Sequence, residues 1–242
     1  SYEDPNLLIL SSDHQIENEE KFADVINEGF KHSNIGKLVT FGIVPTSPQT
    51  GYGYIKSQKP LCETSINGSK IDSFVEKPDK NTAENLIKDS RFTWNSGIFL
   101  FKAKSILEEI QVFCPEIIKY CELSLNKNLF DLDFQRIDEK VFKDCPSISI
   151  DVAVMEKTRN AFVLPLEAGW SDVGSWDFVW DISDKDLDGN VIEGNVITKN
   201  TKNSLLLSQD NRLITAIGLE DLVVVETSDA ILIAKKAESQ KV

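Results

Sequence analysis

Histidine and cysteine are scarce here, with two and four residues respectively among 242. His14 and His32 stand far apart, and Cys62, Cys114, Cys121 and Cys145 show no Cys-x-x-Cys spacing, so a zinc set is excluded. Four free thiols in a reducing cytoplasm are the expected state. No apolar run approaches the ~20 residues that a membrane span requires. The opening Ser-Tyr-Glu-Asp-Pro is polar and acidic, so no signal peptide is expected. Positive charge is also short. A formal net charge of −13 argues against a general nucleic-acid or anionic-membrane surface, while leaving room for a local basic pocket that takes a phosphorylated small molecule. What is present suits a globular protein of one large or two small domains: 41% hydrophobic residues for a core and 27% charged residues for solubility.

The pattern of residues has two textures. Residues 7–10 form an apolar strand of the kind found in the middle of a parallel sheet, which suggests that a preceding segment is missing. Asn18 caps a helix whose stripe is Phe22, Val25, Ile26 and Phe30, and residues 37–43 form a second strand. Strand, helix and strand make a βαβ unit with parallel strands. Ligands in such sheets bind beyond the strands' C-terminal ends, where Asp13 stands. Further extended runs lie at residues 54–55, 71–76, 98–101 and 161–166. Residues 94–97 read as a turn feeding one of them. Helices are expected over residues 81–88, 104–112 (Ile106, Leu107 and Ile110 inward), 115–125, 150–157 (Val152, Val154 and Met155 available for burial) and 175–182; residues 129–144 are acidic and give no clear pattern. From residue 191 the pattern changes to short β runs of regular spacing, which suggests a β-helix or small roll, with a polar, fraying tail over 235–242.

Between the two textures lies Gly169-Trp-Ser-Asp-Val-Gly-Ser-Trp. It puts Asp172 on a turn between Gly169 and Gly174, with Trp170 and Trp176 as walls. Asp13, Gly53, the Glu76-Lys77-Pro78 run and Asn95 also end strands or sit in loops. Singly, each has a plainer reading as a cap, a bend or an exposed end. Together they suit a sugar phosphate. Asp13 and Asp172 supply two carboxylates for Mg²⁺, which completes its shell with water and phosphate oxygens. Lys77 neutralises a phosphate, Glu76 accepts from sugar hydroxyls, Asn95 donates and accepts, and Gly53 lets backbone approach the ring.

The ordered series Ser-Asp-His at 12–14, Leu38-Val-Thr-Phe-Gly-Ile, Thr50-Gly-Tyr-Gly-Tyr-Ile, Phe74-Val-Glu-Lys-Pro, Trp94-Asn-Ser-Gly-Ile-Phe, Ser149-Ile-Asp-Val-Ala-Val-Met-Glu-Lys and the Gly169 stretch resembles the bacterial mannose-1-phosphate guanylyltransferases, among the sugar-nucleotide pyrophosphorylases. The likeness continues through Asp188-Gly-Asn and Asp221-Leu-Val-Val-Val-Glu-Thr. It implies an α/β fold: a Rossmann-like, GT-A-like nucleotidyltransferase domain with a mixed sheet flanked by helices (residues 1–182), and a small C-terminal β-helix-like region (183–242). The implied reaction joins GTP and mannose 1-phosphate into GDP-mannose and pyrophosphate with Mg²⁺. Asp13 and Asp172 would hold the metal. Asp13, Asp172 and Lys77 would serve catalysis, with Gly53, Glu76 and Asn95 on the mannose and Lys77 on its phosphate. Asp151 and Glu156 match a supporting motif.

The sequence departs from the family in Ser11-Ser12, where Pro-Ala is usual. It also has no counterpart of the opening Gly-Gly-x-Gly-x-Arg-Leu loop or of the optional isomerase domain. That loop cradles nucleotide phosphates with backbone N–H groups. The expectation is an enzyme whose first β-α segment lies outside this chain, and which is catalytically crippled without it. Two alternatives stand beside it: a non-catalytic sugar-phosphate-binding or assembly subunit, and a pyrophosphorylase for another hexose 1-phosphate. An edge of the C-terminal β region is a candidate homodimer surface.

Overall fold

Period-two alternation of apolar side chains builds one mixed sheet with helices on both faces. The structure, a computed structural model, describes residues 4–62, 65–125, 129–132, 134–172 and 174–241. It divides into two compact units, one made of Ser1–Ser12 with Ile16–Trp170 and the other of Asp13–Gln15 with Ser171–Val242.

In the first unit the strand order is Asn6–Ile9, Phe92–Lys102, Leu38–Ile43, Ala161–Pro165, Ser69–Val75 and Tyr54–Ser57. Leu38–Ile43 runs parallel to Ala161–Pro165 and antiparallel to Phe92–Lys102. Leu38, Phe99 and Phe101 face one side, against Ile106 and Ala153, Val154 and Met155. Val39, Phe41, Ile98 and Leu100 face the other, against Val25 and Ile26 of the helix Glu19–Ser33. That helix starts where the sequence predicts, with the Asn18 side chain accepting from the Lys21 N–H.

Several expectations need correction. Asn6–Ile9 is an edge strand rather than a central one. It and Leu38–Ile43 are both antiparallel to Phe92–Lys102, so they are parallel to each other as a βαβ unit requires, but a third strand lies between them. Only Leu8 of its apolar run packs into the core; Leu7 and Ile9 point the opposite way and are exposed. The predicted turn at residues 94–97 is an irregularity inside one eleven-residue strand. Thr40 and Gly42, two residues apart, oppose Phe99 and Asn95, four apart, and Gly97 absorbs the excess at φ +70°. The helix expected over 150–157 contracts to a π turn, Asp151–Met155, in which Ala153 takes the buried place expected of Val152. Leu107 is exposed, because the helix Ala103–Phe113 turns only Ile106 and Ile110 to the core.

The second unit is a stack of β coils. Val191–Glu193, Leu205–Ser208 and Leu222–Glu226 pair in parallel, and Val196–Lys199 pairs in parallel with Ile214–Ile217. Ile231–Lys235 closes the stack as an antiparallel strand. Val191, Leu205, Leu207, Val223 and Val225 fill its interior, and Trp176, Val179 and Trp180 cover it. Trp176, expected as a wall of the Asp172 turn, packs on this core. The tail does not fray through its length: Lys236–Lys241 is a 3-10 helix, and the buried Ser239 donates to Asp177 at 2.5 Å.

Candidate active site

Strand register gathers three of the predicted residues into a row. Tyr54 opposes both Val75 and Trp94, on the two strands flanking Tyr54–Ser57. One step back along the same register, Gly53 falls between Glu76 and Asn95. The Asn95 N–H donates to the Gly53 carbonyl at 2.8 Å, which fixes that side of the row. On the other side, a Cβ on Gly53 would lie 2.6 Å from Glu76 Oε2 and 3.1 Å from the Phe74 ring. Glycine here keeps the Glu76 carboxylate beside bare backbone.

Lys77 follows at φ +42°, a left-handed conformation that a lysine adopts only when its surroundings hold it there. Its Nζ stands 3.9 Å from Glu76 Oε1, with most of the side chain exposed. Asn95 is held more firmly. Its Oδ1 lies 3.0 Å from Thr40 Oγ1, and its Nδ2 donates to Asp151 Oδ1 at 3.0 Å. Asp151 opens the π turn and so reaches the row from a fourth segment.

The electrostatics are those of crowded carboxylates. Burial pushes the Glu76 carboxyl above its ordinary value, and the charge on Asp151 adds to the push; Lys77 opposes it. Burial likewise raises Asp151, partly offset by hydrogen bonds from its own backbone, Asn95 and Ser149 and by the charge of Lys77. Tyr52, buried beside the row, meets Trp94 and Trp170 edge-on at 5.1 and 5.6 Å. Chemically the row and its neighbour Lys77 offer a carboxylate acceptor, an amide, an exposed cation and open backbone.

The two remaining predicted residues, Asp13 and Asp172, belong to the second unit. Asp13 is exposed and Asp172 half-buried. The Gly174 N–H donates to Asp172 Oδ1 at 3.2 Å, so the glycine turn orients that carboxylate. Among the described residues no group of three or more His, Cys, Asp or Glu has metal-binding geometry. The carboxylate is a donor type that Mg²⁺ accepts, its other ligands coming from water and phosphate.

Thr40 was not visible as a site residue in the sequence. The available signal was a hydroxyl within the otherwise apolar Leu38-Val-Thr-Phe run. Asp151 was legible as a motif member, but its bond to Asn95 was not.

The nucleotidyl transferase family model matches residues 1–189, and the mannose-phosphate isomerase/GMP-like β-helix domain model matches residues 194–242. A mannose-1-phosphate guanylyltransferase of Salmonella montevideo is 48% identical over 231 residues, covering 94% of this chain and 49% of that protein. A putative mannose-1-phosphate guanylyltransferase of Vibrio cholerae serotype O1 (strain ATCC 39315 / El Tor Inaba N16961) is 45% identical over 240 residues, covering 99% and 51%. The chain spans about half the length of the curated relatives it matches. A solved structure described as mannose-1-phosphate geranyltransferase from Thermus thermophilus superposes with a TM-score of 0.81 at 27% identity, over 98% of this chain and 67% of that one.

Proposed function

We propose that this chain, which belongs to the nucleotidyl transferase family, carries the sugar-phosphate and metal-binding residues for transfer of GMP from GTP to mannose 1-phosphate. The observation that carries the proposal is the row Glu76–Gly53–Asn95, set by strand register, in a chain 45–48% identical to proteins named for that reaction. In the reaction a phosphate oxygen of mannose 1-phosphate forms a bond to the α-phosphorus of GTP. The bond from that phosphorus to the β-phosphate oxygen breaks, and its electron pair leaves with pyrophosphate.

The residues divide the work. Glu76, held beside bare Gly53 backbone, accepts hydrogen bonds from ring hydroxyls. Asn95 fixes a further hydroxyl. Lys77 projects into solvent, where its ammonium meets the sugar phosphate and offsets charge that the acidic chain would otherwise repel. Asp13 and Asp172 are the metal ligands in this reading. When bound, Mg²⁺ supplies electrostatic stabilisation of the transferring phosphoryl oxygens. With no protein nucleophile required, these side chains act by positioning.

Pyrophosphate release from GTP, mannose 1-phosphate and Mg²⁺ tests the proposal. Any turnover is expected to need mannose 1-phosphate and to be lost in both Asp13→Asn and Asp172→Asn. Wild-type rates in both variants would remove the metal assignment, and equal turnover with glucose 1-phosphate would move the substrate. Mannose 1-phosphate binding without pyrophosphate release would leave the sugar-phosphate subsite and refute transfer by this chain.

A further inference from the structure

Asn95 is the one member of the row whose side chain has two chemically different ends, and both ends are already engaged. On one side stands Thr40, fully buried, with Oγ1 at 3.0 Å from Asn95 Oδ1 and also 3.0 Å from the Ile98 carbonyl. On the other stands Asp151, 3.0 Å from Asn95 Nδ2. An ionised carboxylate can only accept, so the amide end facing it must be the NH₂. Oδ1 then faces Thr40, whose single proton must be given to it. This arrangement commits one Nδ2 proton to Asp151 and leaves the second for another acceptor.

We propose that Thr40 and Asp151 are positioning residues that lock the Asn95 amide in one orientation, so that it presents an N–H donor, rather than its carbonyl, to a sugar hydroxyl. The use of that donor rests on the sugar-phosphate reading; the lock rests on geometry alone. The reversed amide would set Oδ1 against a carboxylate oxygen, a repulsive contact in a partly buried setting. It becomes allowed only when Asp151 carries a proton. Asp151 then donates to Oδ1, Nδ2 donates to Thr40 Oγ1, and the Thr40 proton turns to the Ile98 carbonyl, which stands ready at 3.0 Å. The buried hydroxyl between two acceptors thus gives the amide two satisfied states, and the charge on Asp151 selects between them. The groups facing Asp151 are Asn95 from the long strand, Glu76 and Lys77 from the end of Ser69–Val75, and Ser149 ahead of its own turn; Glu156, beyond that turn, acts on Glu76.

The test has a ligand-free arm and a binding arm. In the first, the side-chain amide of Asn95 is followed by NMR in ¹⁵N-asparagine-labelled chain. The wild-type amide protons are expected to exchange slowly with water, about fivefold faster in Thr40→Val, and at the wild-type rate again in Thr40→Ser. Their shifts should follow the titration of Asp151 and lose that dependence in Asp151→Asn, which also serves if Thr40→Val does not fold. In the second arm, mannose 1-phosphate is titrated calorimetrically. Affinity should fall about tenfold in Thr40→Val, return to within about twofold in Thr40→Ser, and weaken as pH falls through the Asp151 titration, while GTP affinity stays unchanged. Wild-type exchange in Thr40→Val, or a pH response retained in Asp151→Asn when Glu76→Gln is also present, overturns the lock whatever the binding result. A locked amide in a wild-type chain that fails to bind mannose 1-phosphate overturns the sugar reading instead and leaves the lock in place.

Discussion

Glu76, the carboxylate proposed to meet the sugar, shows how such a group burdens the fold that holds it. Its ordinary value is 4.5, and in the folded chain burial and the neighbouring Asp151 raise it. A raised carboxyl favours folding when protonated. That contribution is fully present below the unfolded value and is lost as pH rises through the folded value. At neutral pH the ionised group therefore opposes folding. Glu76→Gln is expected to raise the melting temperature by roughly 2 °C at pH 7, with the gain vanishing near pH 4. A gain of equal size at both pH values would contradict this cause. Gly53 makes the complementary case. A methyl there would meet Glu76 Oε2 at 2.6 Å, and the carboxylate is the part free to move. Gly53→Ala should fold, but weaken mannose 1-phosphate binding about tenfold in a calorimetric titration. Residue identities at the row were legible as motifs. What the sequence withheld was partnership: Thr40 looks like one hydroxyl in an apolar strand, and nothing local says that it will meet one end of the Asn95 amide while Asp151 takes the other.

At the scale of elements, the strand Phe92–Lys102 does the most. It pairs with Asn6–Ile9, Leu38–Ile43 and Tyr54–Ser57, and its irregularity at Gly97 lets Asn95 stay in register with Gly53 while Phe99 and Phe101 stay in the core. Gly97 sits at φ +70°, where a side chain is strained. Gly97→Ala should cost about 1 kcal/mol by urea unfolding and reduce mannose 1-phosphate affinity with it, because the irregularity and Asn95 move together. In the second unit the stacked coils bury Leu205 completely. Leu205→Ala should destabilise by about 3 kcal/mol, a cavity between rigid layers having little room to collapse. Helix and strand positions followed closely from periodicity and capping. Strand order did not, because which strand lies beside which depends on pairings many residues apart. The 94–97 irregularity reads locally as a turn for the same reason: only its partners reveal that the strand continues.

For the molecule as a whole, the second unit's stacked strands were foreseen from the regular spacing of short β runs, whereas the alternation of strands and helices in the first unit indicated only a parallel βαβ unit and its mixed sheet was implied by the family resemblance. Residues 1–189 match the nucleotidyl transferase family, and the relatives named for mannose 1-phosphate chemistry extend to about twice this length. Among the described residues no helix is long and apolar enough to cross a membrane. The net charge of −13 makes a phosphorylated ligand dependent on local positive charge, and Lys77 beside Glu76 is where the row provides it.

The most direct measurement is therefore a calorimetric titration of mannose 1-phosphate into the chain, alongside Asn95→Ala and Lys77→Ala. The account predicts saturable one-to-one binding by the wild type, weakened at least about tenfold in each variant, with all three equally folded by circular dichroism. Equal affinity in all three, or no binding by the folded wild type, would contradict it.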